Sequence, residues 1–265
     1  MDNRPIGIFD SGVGGLSILR ELHKLLPGED YIFLADQINV PYGEKNKSQL
    51  ISLTYKIVDF FISKNAKLIV VACNTATCYT IDALRKKYDL PIVGTVPAIK
   101  PAIEMTRTNV VAVISTPATS KSSVLNDLIN KYGKDVEVIN IGCKGLEDTV
   151  ENGKLNSPQT KNLVKKYLVD IKNSRADHLV LGYTHYPFLK YYIQQTLGHS
   201  IKLVDSGLAV ANRTKSLLLI NKISNTTQKL GKTIYFTTGN PKKFSETASV
   251  LLKQSVIAAK IRLYK

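Results

Sequence analysis

KLIVVACNTAT, residues 67–77, decides how the rest of the chain folds. Leu68, Ile69, Val70 and Val71 form a short, largely β-branched apolar run, as in a strand buried on both faces of a parallel sheet. Ala72, Cys73, Asn74 and Thr75 end the run, and a helical pattern follows through Lys87. In open α/β sheets ligands gather at strand C-terminal ends, where the next helix presents free N–H groups. A cysteine there meets backbone donors and a positive dipole end, which predicts that the Cys73 thiol is drawn toward thiolate. Asn74 and Thr75 can cap the helix or hold a carboxylate.

A second segment has the same plan. Leu179, Val180, Leu181 and Gly182 lead into Tyr183, Thr184, His185, Tyr186 and Pro187, and a helical pattern follows. A fainter echo pairs Ile8-Phe9-Asp10-Ser11-Gly12 with Leu203-Val204-Asp205-Ser206-Gly207. Two matched halves facing one cleft would bring chemistry from both sides.

Further strands are expected at Pro5–Phe9, Tyr31–Ala35, Pro91–Gly94, Asn109–Ile114, Val136–Ile141 and Thr233–Phe236, with helices between them. Residues 36–46 form a polar loop carrying Pro41-Tyr42-Gly43, and Ser115–Thr119 a hydroxyl-rich loop suited to anions. Strands alternating with helices argue α/β with mainly parallel sheets. Asp10 to Gly15 is a glycine-rich turn without the G-x-G-x-x-G dinucleotide pattern, and a tight turn needing positive φ is its structural explanation.

The 265 residues suffice for one large or two modest domains. No apolar run approaches 18 residues and the first ten residues lack a signal-peptide core, so no membrane association is expected. Three cysteines without metal-type spacing suggest a reducing cytoplasm and no metal site. Cys78, roughly 140° round the helix from Cys73, and Cys143 read as structural. The net charge of +15 invites a nucleic-acid partner, but the lysines are dispersed and no nucleic-acid motif accompanies them, so none is expected. Only the tail, with Lys253, Lys260, Arg262 and Lys265, is locally basic. A positive field would mildly attract a dicarboxylate.

IGIFDSGVGGLSIL, ADQINVPYG, VACNTAT, VENG and LGYTHYPFL, in this order, resemble the glutamate racemases of the aspartate/glutamate racemase superfamily. The resemblance runs from Ile6 to about Ala211. It implies two pseudo-symmetric α/β domains, residues 1–97 plus 208–265 and residues 98–207, with the active site in the cleft between them. It also implies a cytoplasmic, cofactor-independent enzyme, a homodimer, acting on glutamate for peptidoglycan synthesis. Cys73 would be one acid/base, assisted by Asp10. Asp10, Ser11, Pro41, Tyr42, Gly43, Asn74, Thr75, Thr116, Thr119, Thr184 and His185 would hold substrate. His185 would assist the second acid/base, and Glu151 is a further acidic site residue. The family reads L-G-C-T-H-Y-P at the second site, and here Tyr183 stands where that cysteine belongs.

Inverting Cα without pyridoxal phosphate calls for two acid/bases on opposite faces, plus electrostatic stabilisation of the carbanion. Tyr183 either exchanges the second proton or only walls the pocket. A phenol's reference pKa is about 10 against about 8.5 for a thiol, so impaired turnover is expected. Two alternatives follow: a one-cysteine enzyme catalysing proton exchange or decarboxylation, and a catalytically silent relative that binds a ligand or protein.

Overall fold

The computed structural model describes residues 2–227 and 229–264. Gln228 of the polar loop after residue 223 and Lys265 of the basic tail lie outside the described residues. In chain order the first elements are β1 (Ile6–Asp10), α1 (Leu16–Leu25), β2 (Tyr31–Ala35), α2 (Lys47–Ser63), β3 (Leu68–Val71), α3 (Asn74–Lys87) and β4 (Ile92–Gly94). The middle of the chain forms α4 (Ile99–Met105), β5 (Val110–Ser115), α5 (Pro117–Ser120), α6 (Ser123–Tyr132), β6 (Glu137–Gly142), α7 (Leu146–Glu151), α8 (Pro158–Lys172), β7 (His178–Leu181), α9 (Lys190–Leu197) and β8 (Lys202–Val204). The chain closes with α10 (Gly207–Ile220), β9 (Thr233–Thr237), α11 (Pro241–Leu252) and β10 (Ala258–Lys260).

Two compact units result, one of Met1–Thr95 with Gly207–Lys265 and one of Val96–Ser206. Among the described residues the first holds a sheet ordered β10-β9-β2-β1-β3-β4 and the second a sheet ordered β6-β5-β7-β8. Every strand pair in both is parallel. The chain is therefore mixed α/β, as its alternating pattern requires. Parallel sheets need cover on both faces, and the central strands obey: every residue of β1, β2, β3, β5 and β7 is buried. Polar side chains cap several of the helices. Asn46 and Gln49 close a reciprocal capping box on α2, and Ser122, Ser157 and Asn240 cap α6, α8 and α11. No helix among the described residues is long and apolar enough to cross a membrane.

Four sequence expectations need correction. The glycine turn after β1 does not use positive φ: Gly15 sits at φ −59°, and the glycines with positive φ are Gly145, Gly153 and Gly198. What Gly15 supplies is room, since a Cβ there would stand 2.7 Å from the Asp10 Cβ and 3.1 Å from that of Ala72. The polar loop 36–46 contains two 3-10 turns, Gln37–Asn39 and Tyr42–Glu44. The hydroxyl-rich Ser115–Thr119 stretch closes β5 and opens α5. Ala258–Lys260 of the basic tail, where no strand was expected, pairs with β9 at the sheet edge.

Candidate active site

In the first unit, parallel pairing carries the ends of β1, β2 and β3 to one edge of the sheet. There Asp10 closes β1, Asp36 follows β2, and Cys73 follows β3 by two residues. The register aligns Asp10 with Ala35, and Asp36 N–H donates to the Asp10 carbonyl at 2.9 Å.

Cys73 is the N-cap of α3, its Sγ accepting from Ala76 N–H at 3.5 Å and lying 3.9 Å from Ser11 Oγ. Only 1% of its surface is exposed. The expectation of an easily ionised thiol fails here. Burial pushes the thiol far above its ordinary range, and the Asp10 carboxylate adds to the rise. The Ala76 N–H and the Ser11 hydroxyl pull the other way and do not prevail. Asp10 itself is fully buried and held by backbone donors, Ser11 N–H to Oδ1 at 2.8 Å and Gly15 N–H to Oδ2 at 2.6 Å.

Asn74, beside Cys73, is 1% exposed, and neither Nδ2 nor Oδ1 finds a hydrogen-bond partner. A buried amide with both ends free is costly, and such groups in native proteins point to an unseen partner. Thr75 is buried next to it. Thr77 is committed to structure, donating to the Val71 carbonyl at 3.2 Å and accepting from Thr95 N–H at 2.9 Å. The Thr95 hydroxyl after β4 is buried and unpartnered as well.

Asp36 is a site-edge residue that sequence reasoning missed. It lies inside ADQINVPYG, yet nothing in the motif announces that its carboxylate is buried. It accepts from Asn39 Nδ2 at 3.0 Å, Tyr42 hydroxyl at 2.7 Å, Thr238 Oγ1 at 2.9 Å and Tyr264 hydroxyl at 2.8 Å. Burial raises its pKa and these four donors oppose the rise. Tyr42 is 2% exposed and packs in the cluster that contains Cys73. Pro41 and Gly43 flank it, Pro41 following a cis peptide bond.

In the second unit, Tyr183 follows β7 after Gly182, a close-packed glycine whose Cβ would stand 3.0 Å from the Ile114 carbonyl oxygen. The expected helix opens as a 3-10 turn, Tyr186–Leu189, before α9. The Tyr183 and His185 rings lie face to face, 4.5 Å between centroids and 9° from parallel. His185 Nε2 meets Glu151 Oε1 of α7 at 2.7 Å. Thr184 and His185 are buried, and Tyr183 is partly exposed. Thr116 caps α5 by accepting from Thr119 N–H at 3.2 Å, and the two threonine hydroxyls bond each other at 3.0 Å. Cys143 is buried and Cys78 half-buried.

A buried cysteine beside a carboxylate, at a parallel strand end of a two-sheet α/β chain, is a pairing suited to proton transfer. Residues 6–214 match the Asp/Glu/Hydantoin racemase family, and the chain belongs to it. A curated relative, the glutamate racemase of Herpetosiphon aurantiacus, is 42% identical over 251 residues, covering 95% of this chain and 99% of that protein. A glutamate racemase isoform from Bacillus anthracis superposes with a TM-score of 0.90 at 29% identity, covering 99% of each chain. The Francisella tularensis glutamate racemase, solved in complex with D-glutamate, gives 0.84 at 31% identity over 99% of each chain.

Proposed function

We propose that this chain interconverts L- and D-glutamate by moving a proton off and onto Cα, with Cys73 serving one face and Tyr183 the other. The observation that carries this is the buried Cys73 thiol under the influence of the Asp10 carboxylate, next in the chain to the buried, unpartnered Asn74 amide. The glutamate racemases among its relatives, one of them holding D-glutamate, support the choice of substrate.

Each step follows from the groups present. A substrate ammonium near Cys73 offsets the cost of a buried thiolate, and Asp10 accepts the thiol proton. The thiolate then takes the Cα proton, becoming a thiol again and leaving a carbanion delocalised into the carboxylate. Asn74, with Ser11, Thr75 and the Pro41–Gly43 turn, holds the substrate on this side. Tyr183 returns a proton from its hydroxyl to the opposite face and is left as phenolate. His185, paired with Glu151, stacks on its ring, and Thr184 and the Thr116–Thr119 pair complete the second side. The reverse direction exchanges the two roles. In a bacterium the product would supply D-glutamate for peptidoglycan, made in the cytoplasm by a homodimer.

A one-cysteine enzyme is the second possibility, favoured by Tyr183 itself, whose phenol is a weaker acid than the thiol it replaces. Incubation with L-glutamate and then D-glutamate in D₂O separates the two, with Cα–H exchange followed by NMR and inversion by circular dichroism. Exchange with inversion from both enantiomers is expected. Exchange of one enantiomer without inversion would leave Cys73 acting alone, and neither signal, even in Tyr183→Cys, would remove glutamate as substrate.

A further inference from the structure

Asp36 gathers its side-chain donors from distant parts of the chain. Asn39 and Tyr42 come from the turns just after it and Thr238 from the end of β9. Tyr264 comes from 228 residues away, in the segment that follows β10. That segment alternates. Ile261 and Leu263 pack on the apolar cluster that contains Tyr42 and Cys73, while Arg262 between them is exposed. Ile261 N–H donates to the Thr237 carbonyl at 2.9 Å, continuing the register of β10 on β9. Tyr264 then lies beneath the Lys56 ammonium, 5.3 Å from its ring centroid, and puts its hydroxyl on Asp36 Oδ2 at 2.8 Å. The same oxygen accepts the Tyr42 hydroxyl at 2.7 Å. Two phenols far apart in the chain therefore share one carboxylate oxygen, and one of them packs in the cluster that contains Cys73.

We propose that Ile261–Tyr264 is a C-terminal strap and that Tyr264 is a positioning residue, acting through Asp36 to set Tyr42 and the Pro41–Gly43 turn against Cys73. Hydrogen bonds to a charged acceptor are stronger and shorter than neutral ones, so each donor fixes the carboxylate's direction. With one donor removed, the buried carboxylate turns toward those that remain, and the Tyr42 turn moves with it. The effect on substrate rests on the racemase function proposed above; the effect on Cys73 does not.

Full-length wild type, Tyr264→Phe and Arg262→Ala test the strap by two readouts. The first is iodoacetamide labelling of Cys73 and Cys78, quantified by mass spectrometry in the same sample. Both cysteines sit at or on α3, so general loosening labels both, whereas a shifted Tyr42 turn favours Cys73. Tyr264→Phe is expected to raise the Cys73-to-Cys78 labelling ratio about threefold to tenfold, with Arg262→Ala matching wild type. The second is the KM for glutamate, expected to rise over the same range with kcat changed less than about twofold. An unchanged labelling ratio overturns the strap whatever the activity, and an unchanged KM in an active enzyme overturns the positioning role. A raised ratio in a protein that racemises nothing would remove the glutamate reading and leave the strap standing.

Discussion

Tyr183 rests flat against His185, their ring centroids 4.5 Å apart, while the edge of the imidazole is taken by Glu151 at 2.7 Å. The stack fixes the phenol's plane and the hydrogen bond to Glu151 fixes the imidazole's. With a reference pKa of about 10, the phenol offers far less conjugate base near neutrality than a thiol of about 8.5. Tyr183→Cys is therefore expected to raise racemisation at pH 7.5 at least about tenfold, and Tyr183→Phe to lower it about a hundredfold or more. Circular dichroism of either glutamate enantiomer gives the rate. A Tyr183→Phe enzyme as fast as wild type would end the tyrosine's claim to the second proton.

Breaking the partner bond separates the two faces. Glu151→Gln is expected to slow inversion about tenfold while sparing Cα–H exchange of whichever enantiomer Cys73 deprotonates. Equal loss of both signals would place Glu151 in general binding instead.

The buried thiols make stability fall in alkali. Burial raises Cys78 from 9.0 to about 11 and Cys143 from 9.0 to about 12, and Cys73 further. A group whose folded pKa is raised keeps its proton in the native state after the unfolded chain has lost it. Its stabilising contribution is complete below pH 9 and is lost as pH climbs to 11 or 12. Thermal melts at pH 8, 9, 10 and 11 should show Tm steady to pH 9 and then dropping. A triple Cys→Ser variant should drop less steeply, though buried tyrosines such as Tyr31 and Tyr42 add to the fall in both.

Lys67 and Glu29 form a buried ion pair, 2.6 Å apart with side chains 0% and 3% exposed. Lys67 Nζ also donates to the Asp2 carbonyl at 2.6 Å, and Glu29 Oε1 accepts Asn225 N–H at 2.8 Å. The pair thus ties Asp2 and the loop after α10 to the start of β3. Lys67→Met leaves Glu29 buried and unpaired, which is expected to cost about 3–5 kcal/mol in urea denaturation. Adding Glu29→Gln should return part of that loss, and a single variant costing under about 1 kcal/mol would contradict the pairing.

Gly15→Ala tests the tight approach behind Asp10. Alanine favours helices, but its Cβ meets the Asp10 Cβ at 2.7 Å. Overpacking of this kind is expected to cost about 1–3 kcal/mol and, by displacing the carboxylate, most of the racemase activity. A stabilised, fully active variant would count against Asp10 as the thiol's proton acceptor.

What the sequence made legible was periodic or local. β3 follows from four apolar residues and an abrupt polar stop, and β2 matches its expected span, Tyr31–Ala35; the cap of α3, expected at Asn74 or Thr75, falls instead on Cys73. β10 was not legible because Ala258–Lys260 is three residues long and half exposed, without the alternation that marks a strand. The role of Asp36 was hidden for a different reason. Two of its donors lie three and six residues away, but the others are 202 and 228 distant, and no local pattern reports such a meeting. The Cys73 thiol was misjudged because the helix dipole is visible in sequence while full burial among β1, β3 and α3 is not.

One atom of this protein has two employments. Cys73 Sγ closes the first turn of α3 by receiving the Ala76 N–H. A thiolate receives that bond more strongly than a thiol. Every proton that leaves the sulfur would therefore tighten the helix, and every proton regained would slacken it. Under the proposed chemistry α3 keeps time with turnover, firm in one half of the cycle and loose in the other. Hydrogen exchange at the Ala76 amide becomes a gauge of which half the enzyme occupies, readable without following the substrate at all.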